Sequence, residues 1–164
     1  FVGTFLGGGL VLNSQLVNGK TGNAGAIGSL PFFNGSEQRQ LITQSSLYLL
    51  ERKLIDAGLN GKHIYESPSH WLCDEDIVNR WISETAKGLA FATQCAMSLL
   101  DLDGVIIDGA VPSDVKRLLV KQTHETMQQL DMRGIAEVQI SPGYVGGKAQ
   151  SIGSANLALQ ANYY

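Results

Sequence analysis

The chain opens on FVGTFLGGGLVLNSQLVNGKTGNAGAIGSLPF, a segment with an unusual density of glycine. A first cluster falls within an apolar run, and a second series follows at Gly19, Gly22, Gly25 and Gly28. Glycine at this density marks places where the backbone bends sharply or approaches another group closely. Residues 2–17 otherwise predict two strands, joined by a turn at Asn13 and Ser14.

Two interpretations of the glycine cluster stay open at this point. Successive backbone amides could converge on an anion, or the glycines could only relieve crowding at a bulge. A glycine-rich string by itself is a weak signal, because many turns share it.

Size and composition narrow the class of protein. With 164 residues, 44% of them hydrophobic, the chain can bury one core, which predicts a single domain over residues 1–164. A net charge of −3 without a basic stripe argues against direct contact with nucleic acid. No apolar run approaches the roughly 20 residues that span a bilayer, so no membrane contact is expected. Cys73 and Cys95 show no CxxC spacing, which favours a reducing, cytoplasmic location.

Helical and strand patterns alternate along the chain and predict an α/β fold, with a mixed sheet flanked by helices. We expect helices at 36–57, 74–100 and 113–130 and from residue 150 or 151 onward, and strands at 104–107 and 137–141. Ser36 and Asp74 are the expected N-caps, and Gly58 the expected stop of the first helix. Residues 60–72 predict a loop. The GVII strand at 104–107 is expected to be covered on both faces.

Four strings in order carry a resemblance to a known family. They are the glycine loop of Gly3, Thr4, Leu6, Gly7 and Gly9, then GNAGAIGS, LLDLDGVIIDGAVP and VGGKAQSIGSANLAL. Together they resemble the ROK family, which joins sugar kinases with sugar-responsive transcriptional repressors. The resemblance runs over the whole chain and implies an RNase H-like fold of the actin-like ATPase and hexokinase type. Because family members have two lobes, it also implies that the chain is a C-terminal lobe and a fragment of a larger protein.

The resemblance assigns a nucleotide-binding role to two places. Gly3, Thr4, Gly7 and Gly9 would contact the β and γ phosphates, although Phe5 stands where the family usually has glycine. The turn formed by Asp108, Gly109 and Ala110 would lie beside the adenine. Asp108 either projects into that nucleotide cleft or serves only to form the turn.

The sugar-binding string has changed more. In GNAGAIGS the family's Glu and His, which hydrogen-bond sugar hydroxyls, are replaced by Ala26 and Ser29, so Gly25 and Ser29 remain as the degenerate sugar-binding residues. The absence of two such hydrogen bonds is expected to lower hexose affinity by well over tenfold, at about 1 kcal/mol or more each. The family's cysteine-rich zinc motif has no counterpart in residues 30–40, and the spacing of His63 and His70 matches no standard metal signature, so no metal site is expected.

Two functions from different classes follow from these observations. The family's catalytic Asp belongs to the other lobe, so this chain supplies no catalytic residue. Degenerate phosphate and sugar strings favour the effector-sensing, dimerising part of a regulator, because a regulator needs a ligand-dependent population shift and no transfer chemistry. The alternative is a sugar kinase, which would require ATP and Mg. The expected partners are a sugar or sugar-phosphate effector, DNA through a domain outside this chain, and a second copy that contacts Gly88, Ala90, Ala92 and Ala96.

Overall fold

The computed structural model describes residues 1–34, 36–67, 71 and 75–163. The first element is a hairpin of β1 (Leu10–Leu12) and β2 (Gln15–Val17), which pair antiparallel. Asn13 and Ser14 connect the strands with φ values of 51° and 61°, the positive values that two-residue hairpin turns require. The predicted turn is therefore confirmed, but the strand before it is shorter than expected. Residues 3–5 form a bend between isolated bridges at Val2 and Leu6.

A second hairpin replaces the first half of the helix expected at 36–57. β3 (Pro31–Asn34) pairs antiparallel with β4 (Glu37–Gln40), and a short 3-10 helix follows at Leu41–Thr43. Only the second half of the segment is helical, as α1 (Leu47–Asp56). The prediction of Ser36 as an N-cap was wrong, and Ser46 holds that position. Gly58 does end the helix, with a φ of 81°.

The long helix was predicted correctly. α2 (Glu75–Leu100) matches the expected range from its first described residue, whereas Asp74, Cys73 and His70 lie outside the described residues. Asp101 follows it with a φ of 48° and donates its amide to the Met97 carbonyl, as a helix-terminating residue does. Residues 60–72 are not entirely a loop, since Gly61–Tyr65 form a 3-10 helix.

The second half of the chain forms a parallel βαβ unit. β5 (Gly104–Ile107) leads into α3 (Ser113–Met127), and β6 (Gln139–Pro142) pairs parallel with β5. The chain then enters α4 (Ala149–Tyr163), which confirms the last predicted helix. β5 is not covered on both faces, because Ile106 is 72% exposed whereas Ile107 is buried.

Within the described residues, the strands form three two-stranded sheets rather than one mixed sheet. Two are antiparallel hairpins and the third is the parallel β5–β6 pair. A parallel bridge joins Val2 to Gly109, two residues after β5, so the glycine-rich segment lies beside the chain at the carboxyl end of β5. The candidate functional site lies where these two segments meet.

The main core lies between α1, α2, α3 and the β5–β6 pair. Trp81 sits fully buried within it and donates its indole N–H to the Ser46 carbonyl at 3.1 Å, which fixes α2 against the start of α1. On α3, Leu118 is 40% exposed, whereas Lys116 is buried. A second, smaller cluster gathers where α2 ends, around Ala90, Met97, Met127 and Val138.

The small residues of α2 pack within this chain. Ala90 and Ala92 are buried, and a Cβ on Gly88 would lie 2.5 Å from Leu41 Cδ1 and 2.7 Å from Ser45 Oγ. Gly88 therefore allows the segment before α1 to approach α2. Gly88, Ala90 and Ala92 are thus occupied by the chain's own contacts, which corrects their assignment to a contact with a second copy. Ala96 is only half-buried, and its assignment stays a prediction.

Among the described residues, no helix combines the length and the apolar character that a membrane span requires.

Candidate functional site

The glycine-rich segment is held in place by the start of α1. The Gly3 carbonyl accepts a hydrogen bond from the Leu47 amide at 2.9 Å, and the Thr4 carbonyl accepts one from the Tyr48 amide at 3.2 Å. The first amides of a helix lack partners within the helix. The loop carbonyls supply those partners, so loop and helix form one unit.

The same segment is fastened to the end of β5. The Val2 amide donates to the Asp108 carbonyl at 2.8 Å, and the Ala110 amide donates to the Val2 carbonyl at 3.0 Å. A Cβ on Gly109 would lie 2.3 Å from the Val2 carbonyl oxygen, which only glycine permits without a shift. The turn at 108–110 was predicted to lie beside an adenine. Its backbone joins the end of β5 to the glycine-rich segment.

The four residues predicted to contact phosphates divide into two pairs. The amides of Gly3 and Gly7 donate to carbonyls within the segment, at 3.3 and 3.1 Å. The amides of Thr4 and Gly9 make no hydrogen bond to the part of the chain that the structure describes, and neither does that of Phe5. These exposed donors are available to a ligand or to water.

Phe5, which stands at a position of the family's glycine, is accommodated without backbone strain. Its φ is not positive, and its ring is 61% exposed. The ring pairs with that of Tyr48 on α1, with centroids 6.2 Å apart and an interplanar angle of 40°. The side chain therefore points toward α1 and presents an aromatic surface beside the loop.

Close contact with the GNAGAIGS string explains several glycines. A Cβ on Gly8 would lie 2.5 Å from the Gly25 carbonyl oxygen, and one on Gly28 would lie 2.4 Å from the Leu6 carbonyl oxygen. Gly25 has a φ of 80°. By contrast, a Cβ on Gly9 would meet nothing within 4 Å. The crowding interpretation therefore applies to Gly8, Gly25 and Gly28, whereas Gly9 borders open space and anion binding there stays a prediction.

The degenerate sugar string lies at the surface next to this contact. Residues Ile27–Ser29 form a short 3-10 helix in which the Ser29 amide donates to the Ala26 carbonyl at 3.0 Å. Ser29 is exposed and Ala26 is half-buried. The string therefore offers one short hydroxyl where the family has a carboxylate and an imidazole.

Asp108 is the most heavily engaged polar side chain of the site. Its Oδ1 accepts from Lys116 Nζ at 2.5 Å and from the Gly109 amide at 2.8 Å, and its Oδ2 accepts from the amides of Gly146 at 3.0 Å and Val145 at 3.1 Å. One carboxylate thus ties the end of β5 to α3 and to the turn that precedes α4. Only the contact with the Gly109 amide is local to the turn, whereas the other three join Asp108 to distant parts of the chain.

The electrostatics agree with this geometry. Burial raises the pKa of Asp108, but hydrogen bonds from Lys116, Gly146 and Gly109, together with the charge of Lys116, outweigh it and hold the pKa below its ordinary value. Lys116 also donates to the Gly143 carbonyl at 2.9 Å. Lys116 was missed by sequence reasoning, because a lysine in the first turns of a helix is normally solvated.

A second polar group lies on the other side of the loop. The Tyr65 hydroxyl donates to Glu51 Oε2 at 3.3 Å. Burial, the charge of Glu51 and this hydrogen bond raise the pKa of Tyr65 to about 12, against an opposing hydrogen bond from the Thr4 side chain. Neither Tyr65 nor Glu51 stands in any of the sequence motifs, and only the tertiary structure brings them to Thr4.

In the described ranges, no three His, Cys, Asp or Glu residues are grouped so that they could hold a metal ion. His63 Nε2 lies 2.6 Å from Asn60 Nδ2 and 4.0 Å from Glu66 Oε2. His124 borders a separate cleft of about 220 Å³ between the end of α3 and residues 132–138.

Several solved structures share this fold. A ROK family glucokinase from Streptomyces griseus in complex with glucose and AMPPNP is 24% identical, with a TM-score of 0.74 over 97% of this chain and 59% of that one. A ROK family protein from Streptococcus pneumoniae TIGR4 in complex with sucrose is 18% identical, with a TM-score of 0.75 over 98% of this chain and 56% of that one. A ROK family transcriptional regulator, a homologue of the E. coli MLC protein, is 17% identical, with a TM-score of 0.66 over 86% of this chain and 40% of that one.

These likenesses confirm the ROK resemblance at the level of the fold. The chain spans 56% and 59% of the first two of these structures. No protein-family model matches the sequence, and no curated protein matches it significantly. The structures of similar fold include both sugar kinases and a transcriptional regulator.

Proposed function

We infer that this chain is the effector-sensing C-terminal lobe of a ROK-type transcriptional regulator of sugar metabolism. The observation that carries the proposal is the aromatic pair of Phe5 and Tyr48 at the glycine loop, where phosphate binding needs a compact backbone cradle. Of the four amides predicted to contact phosphate, those of Gly3 and Gly7 already donate hydrogen bonds to carbonyls within the glycine-rich segment. A regulator tolerates these changes, because it needs only a ligand that binds two conformations with different affinity.

The same proposal specifies the effector, the DNA contact and the oligomeric state of the regulator. The effector is a sugar or sugar phosphate, and DNA is contacted through a domain outside this chain. The protein acts in the cytoplasm as a homodimer, since a palindromic DNA site is read by a two-fold symmetric pair. The dimer contact uses a surface other than the buried small residues of α2.

A sugar kinase is the second candidate, because the amides of Thr4 and Gly9 stay open to a ligand. These amides would hold the phosphates of ATP, and the bound nucleotide with Mg would supply the transferred phosphoryl group. Because Ala26 and Ser29 stand where the family has Glu and His, such a kinase would bind its sugar with low affinity.

The two functions are separated by two measurements on the full-length protein that contains this chain. The regulator is expected to select a DNA sequence from a random pool and to release it when one member of a sugar panel is added. A coupled assay with Mg-ATP over the same panel is expected to show no turnover. Turnover of about one per second or faster would establish the kinase instead, and failure to select any DNA would contradict the regulator.

A further inference from the structure

Three exposed aromatic side chains surround the start of α1. Phe5 is 61% exposed, and Tyr48 and Tyr65 are each 43% exposed. Phe5 lies on the glycine loop, Tyr48 in the first turn of α1, and Tyr65 at the end of the 3-10 helix Gly61–Tyr65. We call these three residues the aromatic platform. Aromatic surface that stays in contact with water beside polar groups is typical of a binding site.

Polar groups border the platform on one side. The Tyr65 hydroxyl donates to Glu51 Oε2 at 3.3 Å, and the Thr4 side chain lies near enough to Tyr65 to oppose the rise of its pKa. Glu51 follows Tyr48 by three residues on α1, so the two side chains share a helix face. The amides of Thr4 and Phe5 are unused within the described chain and add two donors.

The platform is held by rigid elements. The Thr4 carbonyl accepts the Tyr48 amide at 3.2 Å, which sets the loop against the helix. A Cβ on Gly61 would lie 2.5 Å from the Glu51 carbonyl oxygen, so the segment carrying Tyr65 lies directly on α1. A preformed surface loses little conformational entropy when a ligand binds.

The chemistry of the platform selects among ligand classes. The carboxylate of Glu51 disfavours a phosphate or another anion through charge repulsion. A pyranose ring suits the platform better, because one face carries C–H groups that pack on the negative face of an aromatic ring. Its equatorial hydroxyls would reach the carboxylate, the hydroxyls and the two amides. These groups together offer acceptors and donors, as a sugar hydroxyl requires.

We propose that the aromatic platform, with Glu51 and Thr4, binds a neutral sugar ring face-on. The sugar class rests on the proposed function, whereas the site differs from the degenerate GNAGAIGS string. Phe5, which replaces a glycine of the phosphate loop, then has a function of its own, because its ring supplies surface that contacts the sugar. The platform takes over the sugar recognition that Ala26 and Ser29 are too short to provide.

Saturation-transfer NMR on the full-length protein tests this proposal. The probes are methyl glucoside, methyl galactoside and N-acetylglucosamine, with the open-chain polyol sorbitol as a ligand that lacks a ring face. When protein aromatic protons are irradiated, the axial protons on one sugar face are expected to receive the strongest transfer. Sorbitol is expected to give none.

Substitutions then locate the site. Phe5→Ala and Tyr48→Ala are each expected to weaken binding of the responding sugar by about tenfold, and Phe5→Trp to retain it. Phe33→Ala is the matched control, because Phe33 is 63% exposed on a different hairpin. Thermal unfolding checks that all four variants stay folded. No transfer to any sugar, or transfer unchanged by Phe5→Ala and Tyr48→Ala, would overturn the proposal.

The same variants distinguish this proposal from the regulator function. Sugar-induced release of DNA that persists in Phe5→Ala would refute the platform and leave the regulator intact. Sugar bound at the platform without any effect on DNA would support the platform and refute the regulator.

Discussion

Asp108 and Lys116 form an ion pair at 2.5 Å that is largely shielded from water, with side chains 14% and 9% exposed. Three backbone amides share the carboxylate, and the Gly143 carbonyl shares the ammonium. Because both groups have several partners, the pair connects β5, α3 and the turn before α4 rather than two side chains alone.

Breaking the pair from one side is expected to cost much of the stability of the chain. Asp108→Asn leaves a buried ammonium without its counter-charge, which costs about 3 kcal/mol in free energy of unfolding. Urea unfolding measures the loss. The double variant with Lys116→Met is expected to recover part of it, because neither charge is then left unpaired.

Lys121→Met is the control for that series. Lys121 lies on the same helix and pairs with Glu125 at 3.8 Å, but both side chains are more than half exposed. Its loss is expected to change stability by less than about 0.5 kcal/mol. Equal effects of Lys116→Met and Lys121→Met would show that the Asp108 pair has no special role.

The stability of the chain is expected to fall in acid partly through Asp108. Its pKa is lowered in the folded state, so its contribution is present above the ordinary value of 3.8 and is lost as the pH falls through the folded-state value. Urea unfolding between pH 6 and pH 2 follows this loss. In Asp108→Asn the curve is expected to be flatter below about pH 4. Asp131→Asn is the control, because that carboxyl also has a lowered pKa but its side chain is 60% exposed.

The close approach of the glycine-rich segment to β5 is expected to exclude any side chain at Gly109. Gly109→Ala would place a Cβ 2.3 Å from the Val2 carbonyl oxygen and is expected to cost about 2 kcal/mol or more. Gly7→Ala is the comparison, because its Cβ would meet nothing within 4 Å. Thermal unfolding measures both variants, and the midpoint of Gly109→Ala is expected to lie below that of Gly7→Ala. Similar midpoints would argue against the close contact between Gly109 and Val2.

Ala92→Arg is expected to destabilise the chain itself rather than to separate a dimer. Ala92 is 4% exposed, so an arginine there would bring an unpaired charge into the core and cost more than about 3 kcal/mol. Leu99→Arg on the same helix is expected to be nearly neutral, since Leu99 is 82% exposed. Circular dichroism during urea unfolding measures both. A stable, folded Ala92→Arg protein would contradict the packing of α2 described above.

Local sequence patterns predicted the elements that rest on local chemistry. Asn13 begins the turn because its short polar side chain tolerates positive φ, and Ser14 continues it with a φ of 61°. Gly58 ends α1 because glycine, without a Cβ, adopts positive φ freely. The apolar spacing of α2 and the β-branched run of β5 were sufficient to identify both elements. At residues 31–40 the sequence carries a hairpin signal that is stronger than the helical spacing on which the prediction of a helix at 36–57 was based. The Asn34-Gly35 dipeptide between short apolar and polar runs is typical of a hairpin, and it outweighs the helical spacing that follows.

The sequence by itself determined the order of the motifs, and with it the resemblance to ROK proteins that the fold confirms. Only the tertiary structure decided which side chains meet at the site. Phe5 and Tyr48 are 43 positions apart, and Glu51 and Tyr65 belong to no motif, yet they meet because α1 lies on the glycine loop. Lys116 turns inward because Asp108 and the Gly143 carbonyl offer it partners that no local pattern reveals. Turns and helices follow from neighbours along the chain, whereas a buried charge or an exposed aromatic pair depends on segments that only packing brings together.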